Sequence, residues 1–212
     1  MPSIEYNALR QGIDLLRAEL MNFEPRDDGA YTNQELLKCQ AFIVFCHAEI
    51  QVYLETVSRR IMTEAKERWT SNAVYDRVIA ALIAFRRQER VTVPQDPKRP
   101  SGITDINEII QRAFVSQTNS IAGNNGIKRA NVAELLAPLG ILPNDLEEPL
   151  LIQLDQIGSN RGDMVHKSSR VSLRNIRDPF TDEQTGIYNL ITEIQKFDEK
   201  LQTNGLLSSP PI

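Results

Sequence analysis

This sequence predicts an all-α protein, a bundle of about six to seven helices, and three observations carry that expectation. Apolar residues recur at helical spacing through most of the chain. Thr32 with Glu35, Asn144 with Glu147 and Thr181 with Gln184 each have the form of a capping box, the reciprocal pairing that opens a helix. Nowhere do β-branched residues alternate over a strand's length, and Val91 to Val93 is the only short candidate.

The elements follow in order. Ile4, Ala8, Ile13, Leu16, Leu20 and Phe23 mark an amphipathic helix over residues 3–23, broken by Pro25 through Gly29. Thr32 opens the longest helix, whose face runs from Leu36 through Cys39, Ile43, Cys46, Ile50, Tyr53 and Val57 to Ile61. Phe42 and Phe45 add a second apolar side, so its middle is expected to be buried nearly all round; it runs to about Trp69. A third helix spans Ala73 to about Gln88, with Val74, Val78, Ala81, Leu82 and Phe85 inward. Pro94, Pro97 and Pro100 mark a loop, and Thr104 caps a helix through about Gln117. Gly123 to Gly126 is turn-rich, and Asn131 to Leu139 is a short helix. The next helix enters through Leu150, Leu151, Leu154 and Ile157, and the last carries Ile187, Leu190, Ile191, Ile194, Phe197 and Leu201. One domain over residues 1–205 is expected, with 206–212 a flexible tail.

Composition narrows the function classes. At 212 residues, 41% hydrophobic and 25% charged, the chain is long enough for an ample core without metal or disulfide staples. A net charge of −4 argues against generic polyanion binding, so any nucleic-acid contact must come from a local patch. Cys39 and Cys46 are the only cysteines, and seven residues of helix hold them about 10 Å apart, beyond disulfide reach. Two cysteines and two histidines offer no zinc-ligand spacing, and no metal or other cofactor is expected. Gly123-Asn124-Asn125-Gly126 lacks the lysine ending of a phosphate-binding loop. No signal peptide and no membrane span are read from the sequence, and a cytoplasmic location is expected.

Chemistry concentrates at Ser159-Asn160-Arg161-Gly162-Asp163-Met164-Val165-His166-Lys167. Histidine exchanges protons near neutrality, and arginine offers a planar fork of donors that matches a phosphate. Together they can move a proton at a phosphodiester and hold the charge that develops there. Five residues of regular helix leave the two positions roughly 140° apart, so Gly158 and Gly162 are expected to end or distort the helix and let them converge. On the residues alone, Arg161 as a helix cap with His166 at the surface is the favoured account, because an Arg–His pair at one spacing is a weak signal. Basic residues follow at Lys167, Arg170, Arg174 and Arg177. Residues 86–99 form a second, modest positive patch, whose other reading is a solvated loop. His47 and Glu49 are polar intruders in the long helix. His47 reads as a core histidine, and Glu49 either pairs with an arginine or orients a catalytic group.

Arg161-Gly-Asp-Met-Val-His166 resembles the mark of the HEPN superfamily: an arginine, four to six residues, then a histidine near the end of a late helix. Phe42-Ile-Val-Phe-Cys-His-Ala-Glu49-Ile-Gln-Val-Tyr-Leu-Glu55 looks like the early helix of RiboL-PSP-type HEPN domains, and Asn131 to Ile141 is similar to the segment before their motif helix. The resemblance covers about residues 33–200. It implies a helical bundle that forms a two-fold dimer through the motif helices, and a metal-independent endoribonuclease used in toxin–antitoxin, anti-phage defence or RNA-processing systems.

On that resemblance, Arg161 and His166 are the catalytic pair. Asn160 and Asp163 are supporting residues, Glu49 a weaker one, and Lys167, Arg170 and Arg174 are RNA-binding. RNA, a second copy of the chain, and an antitoxin or defence protein are the implied partners. The chain departs from the family where a polar residue often follows the arginine: here it is Gly162, with Asn160 before the arginine. The tyrosine of one variant, two places after the histidine, is Ser168. The competing class is a non-catalytic HEPN-like module that binds RNA or another protein.

Overall fold

The structure, a computed structural model, describes residues 1–86, 106–166 and 176–208; for Arg86 and residues 162–166 it describes the backbone alone. Among the described residues its regular structure is all helical, with no strand. Its helices are α1 (Ile4–Leu20), α2 (Asn33–Asn72), α3 (Arg77–Arg86), α4 (Ile106–Ala122), α5 (Arg129–Leu136), α6 (Glu148–His166) and α7 (Thr185–Thr203). None of these is long and apolar enough to cross a membrane.

The chain divides into two compact units, and α2 runs through both. The first takes its described residues from 1–54, 125–130 and 146–208. Ser3 caps α1 by accepting from the Tyr6 amide at 3.1 Å. Ser3 is itself fixed by Asp198 on α7, to which its amide donates at 2.7 Å and its hydroxyl at 2.5 Å. Tyr53 on α2 donates to the same side chain at 3.1 Å, and Gln202 at 3.0 Å. Asp198 has no exposed surface, so these four donors replace the water it has lost. The start of α1, the middle of α2 and the end of α7 are thereby tied at one point.

Thr32 and Glu35 do form the expected capping box. Thr32 N–H donates to Glu35 at 2.7 Å, and Glu35 N–H donates back to Thr32 Oγ1 at 3.3 Å. The box read at Thr181 and Gln184 does not open α7. Asp178 is the cap instead, accepting from the amides of Phe180 and Thr181 at 2.9 and 2.8 Å ahead of a wide π-type turn over Pro179–Gln184. Pro179 explains the choice: it lacks an N–H and suits the first position after a cap. At Asn144 the chain makes a short 3-10 turn, Pro143–Asp145, and α6 begins at Glu148. Leu206 and Leu207, placed in the tail by sequence, are buried after a turn at Gly205, whose φ is 66°.

The second unit takes residues 55–124 and 131–145, apart from those outside the described ranges. Val57, Ile61, Ala65 and Trp69 continue the buried face of α2, and Trp69 stacks on Phe114 of α4 with ring centroids 6.1 Å apart. α3 starts four residues after the expected Ala73, because Asp76 caps it through the amides of Val78 and Ile79, both at 3.0 Å. Val74 is therefore outside the helix and exposed, and Phe85 is exposed too, against the inward positions read for both. α4 runs past Gln117 to Ala122, because Gln117 donates to the Leu135 carbonyl at 3.0 Å and Ile121 is buried. Thr104, its expected cap, lies outside the described residues, as do Val91 to Val93 and all of the second basic patch but Arg86. Gly140 ends the 3-10 turn after α5 at φ 81°, a left-handed conformation that favours glycine.

Candidate functional site

Regular helix formation carries α6 without interruption from Glu148 to His166. The break expected at Gly158 and Gly162 is absent. Gly158 serves packing: a Cβ there would stand 2.8 Å from Lys128 Cγ and 3.5 Å from Ile127 Cγ1. The next residue along that neighbouring segment clamps α6. Arg129 donates its amide to Asp155 at 2.8 Å and its guanidinium to Glu148 at 2.6 Å. With the helix unbroken, backbone positions 161 and 166 stay roughly 140° apart about its axis.

Arg161 is half-buried, and its Nε is enclosed without a hydrogen-bond partner among the described residues. Its neighbour is His47 of α2, which is 3% exposed. Burial first, and then the Arg161 charge, lower the His47 pKa from 6.5 to about 4. His47 is consequently neutral at physiological pH and does not repel the guanidinium. His47 is the core histidine the sequence suggested, but its place beside the motif arginine was not foreseen. A half-exposed guanidinium on a regular helix is an arrangement that can hold an anion.

Asn160, one residue before, is turned about 100° from Arg161 around the axis. It lines a cleft of about 180 Å³ between α6 and α7. Gln153 and Gln156 join it from the same face of α6, since residues three and seven apart lie on one side of a helix. Asn189 of α7 and the pair Arg177–Glu183 close the other side. The Arg177 Nε donates to Glu183 Oε1 at 3.1 Å, and Glu183 is buried. Gln153 Oε1 is enclosed and has no partner among the described residues. Sequence reasoning missed Gln153, Gln156, Glu183 and Asn189. The signal available was the row of carboxamides at helical spacing leading into the motif.

Glu49 is half-buried on α2 and packs toward α1, where its Oε2 stands 2.8 Å from the point a Cβ on Gly12 would occupy. Gly12 is what admits it. His166 and Asp163 are helical in backbone, and their side chains lie outside the described set. Lys167, Arg170 and Arg174 also fall outside it. Cys39 and Cys46 are free and buried; burial pushes the Cys39 thiol up to about 12 and that of Cys46 higher still, so neither is a thiolate at neutral pH. Among the described residues, no group of three His, Cys, Asp or Glu side chains is placed to hold a metal ion. No family model matches this chain, and neither a curated protein nor a solved structure is detectably similar to it.

Proposed function

We propose that this chain is a metal-independent endoribonuclease of the HEPN type, acting as a two-fold dimer. The observation that carries the reading is Arg161: a cation beside a neutral histidine, with an unfilled Nε–H, five residues before His166 on one continuous helix. His166 takes the proton of a ribose 2′-OH as the 2′-oxygen bonds to phosphorus. The phosphorus–O5′ bond breaks, and His166 of the second copy protonates the leaving oxygen. Arg161 holds the charge on the phosphate in flight. The products are a 2′,3′-cyclic phosphate and a 5′-OH, and DNA is inert because it lacks the nucleophile.

The unbroken helix supports the dimer in this scheme. Positions 161 and 166 point apart about the axis, so a second copy is the simplest source of a proton-transfer group on the far side of the phosphorus. Asn160 and Asp163 would support the pair, with Lys167, Arg170 and Arg174 contacting the RNA backbone. A toxin–antitoxin or defence setting, with a protein partner restraining the cleavage, suits such an activity.

The experiment is incubation of purified protein with mixed RNA in the presence of a chelator, reading the ends formed. Cyclic phosphate ends that disappear in His166→Ala are expected. Intact RNA with the wild type would overturn the reading in favour of a non-catalytic HEPN-like module. One observation favours that second reading: Arg161 is half-buried, so its charge is partly withdrawn from any ligand.

A further inference from the structure

We propose that the cleft between α6 and α7 receives a single RNA base, one bearing an exocyclic amine, next to the phosphate engaged at Arg161. This deepens the nuclease reading and rests on it for the position of the phosphate.

Size comes first. About 180 Å³ is roughly six waters at about 30 Å³ each, below the ~300 Å³ where drug-sized sites begin. It fits one heterocycle and not a whole nucleotide. The lining comes second. Gln153, Gln156 and Asn160 present carboxamides from one face of α6, and carboxamides both donate and accept, the pattern that pairs with base edges. Ile157 and Ile187 supply apolar surface for the faces of the ring. RNA is read in this manner, through single-stranded bases splayed from the backbone and bonded at their edges.

The choice of base follows from the balance of donors and acceptors. Gln153 Oε1 is enclosed with no donor among the described residues. Glu183 brings a buried carboxyl to the same wall, its only described donors being those of Arg177. An enclosed acceptor left without a partner is costly, and an amino group on the ligand relieves that cost once the Gln153 carboxamide turns toward the cleft. Adenine, cytosine and guanine carry one and uracil does not. Position comes last: Asn160 in the cleft is bonded in sequence to Arg161, so a base seated there belongs to the nucleotide adjoining the held phosphate.

The test measures binding without chemistry. Fully 2′-O-methylated oligo(A), oligo(C) and oligo(U), and an oligo(C) with one central abasic residue, are titrated by fluorescence anisotropy. Wild type, Gln153→Leu and the surface variant Gln156→Ala are compared. Oligo(A) and oligo(C) should bind about tenfold more tightly than oligo(U), and both variants should narrow that gap. Abasic substitution should cost the wild type more than either variant. Equal affinity for all four ligands, or a preference unchanged in both variants, overturns the base site, as does no binding at all. Cleavage of unmodified RNA, mapped in parallel, separates the two ideas. Cutting without base preference leaves the nuclease reading and removes this one. Preference without cutting does the reverse.

Discussion

Asp198 and Arg161 are both charged side chains drawn into the same unit, and the fold surrounds them differently. Asp198 is fully enclosed and accepts from four donors, two of them on Ser3 before α1 and the others on α2 and α7. Arg161 is half-enclosed, has an unfilled Nε–H, and its charge reaches a histidine that burial keeps neutral. Beyond it, Gln153 repeats the pattern with an unfilled acceptor. Buried polar groups are nearly always satisfied, because leaving one unmade costs about 1–3 kcal/mol. Where one chain satisfies a buried charge four times over and leaves other groups open, the open ones are where a ligand has something to add.

The largest expected effect breaks the satisfied end of this comparison. Asp198→Ala strands Ser3 N–H and the Ser3, Tyr53 and Gln202 donors, and should cost about 4 kcal/mol of unfolding free energy in a urea titration. A loss below about 1 kcal/mol would mean that water reaches the site and that it is no true core knot. At the open end, Arg161→Ala should lower RNA cleavage by about 10²–10³-fold in single-turnover assays, while unfolding free energy moves by less than about 1 kcal/mol. An Arg161→Ala protein as destabilised as Asp198→Ala would place the arginine in the structural class.

The sequence announced these two sites unequally. Arg161 was legible as part of a motif, because five residues and a glycine are local facts. Its electrostatic influence on His47 was not, since nothing in sequence links positions on two different helices. The knot at Asp198 was likewise invisible: Asp198 reads as an ordinary polar position of a helix, and only the arrival of Ser3 and Tyr53 gives it a role. Helix existence was legible throughout from periodicity, and Thr32–Glu35 from its local chemistry. Boundaries failed where a nearer cap competed, as Asp76 and Asp178 did, and where tertiary packing overrode a weak residue. Gly158 shows the last case: read as a helix breaker, it is the place where Lys128 crosses α6.

A smaller effect sharpens the comparison through pH. Folded His47 stays neutral down to about 4, whereas in the unfolded chain it binds a proton below 6.5. Between those values the unfolded state holds more protons, so stability is complete above 6.5 and falls as pH drops toward 4. The loss from this residue should be at most about 3 kcal/mol and should be absent from His47→Gln. Arg161→Ala should recover only part of it, because burial is the larger cause and the arginine the smaller. An acid limb identical in wild type and His47→Gln would show that His47 does not titrate as its burial requires.

The smallest effect is a contrast between two glutamines. Gln202 donates to Asp198 at 3.0 Å, and Gln153 carries an enclosed oxygen without a donor among the described residues. Replacing Gln202 by Leu removes a bond from the knot and should cost about 1 kcal/mol. Replacing Gln153 by Leu removes an unmet acceptor and keeps similar volume, so unfolding free energy should hold or rise by a few tenths of a kcal/mol. Equilibrium urea titration of the two variants beside wild type measures the difference directly. If Gln153→Leu proves the more damaging, its oxygen has a donor in the folded chain, and the unmet acceptor that selects an amino-bearing base does not exist. If it is silent in stability yet levels the affinities for oligo(A), oligo(C) and oligo(U), the residue is kept for a ligand and not for the fold.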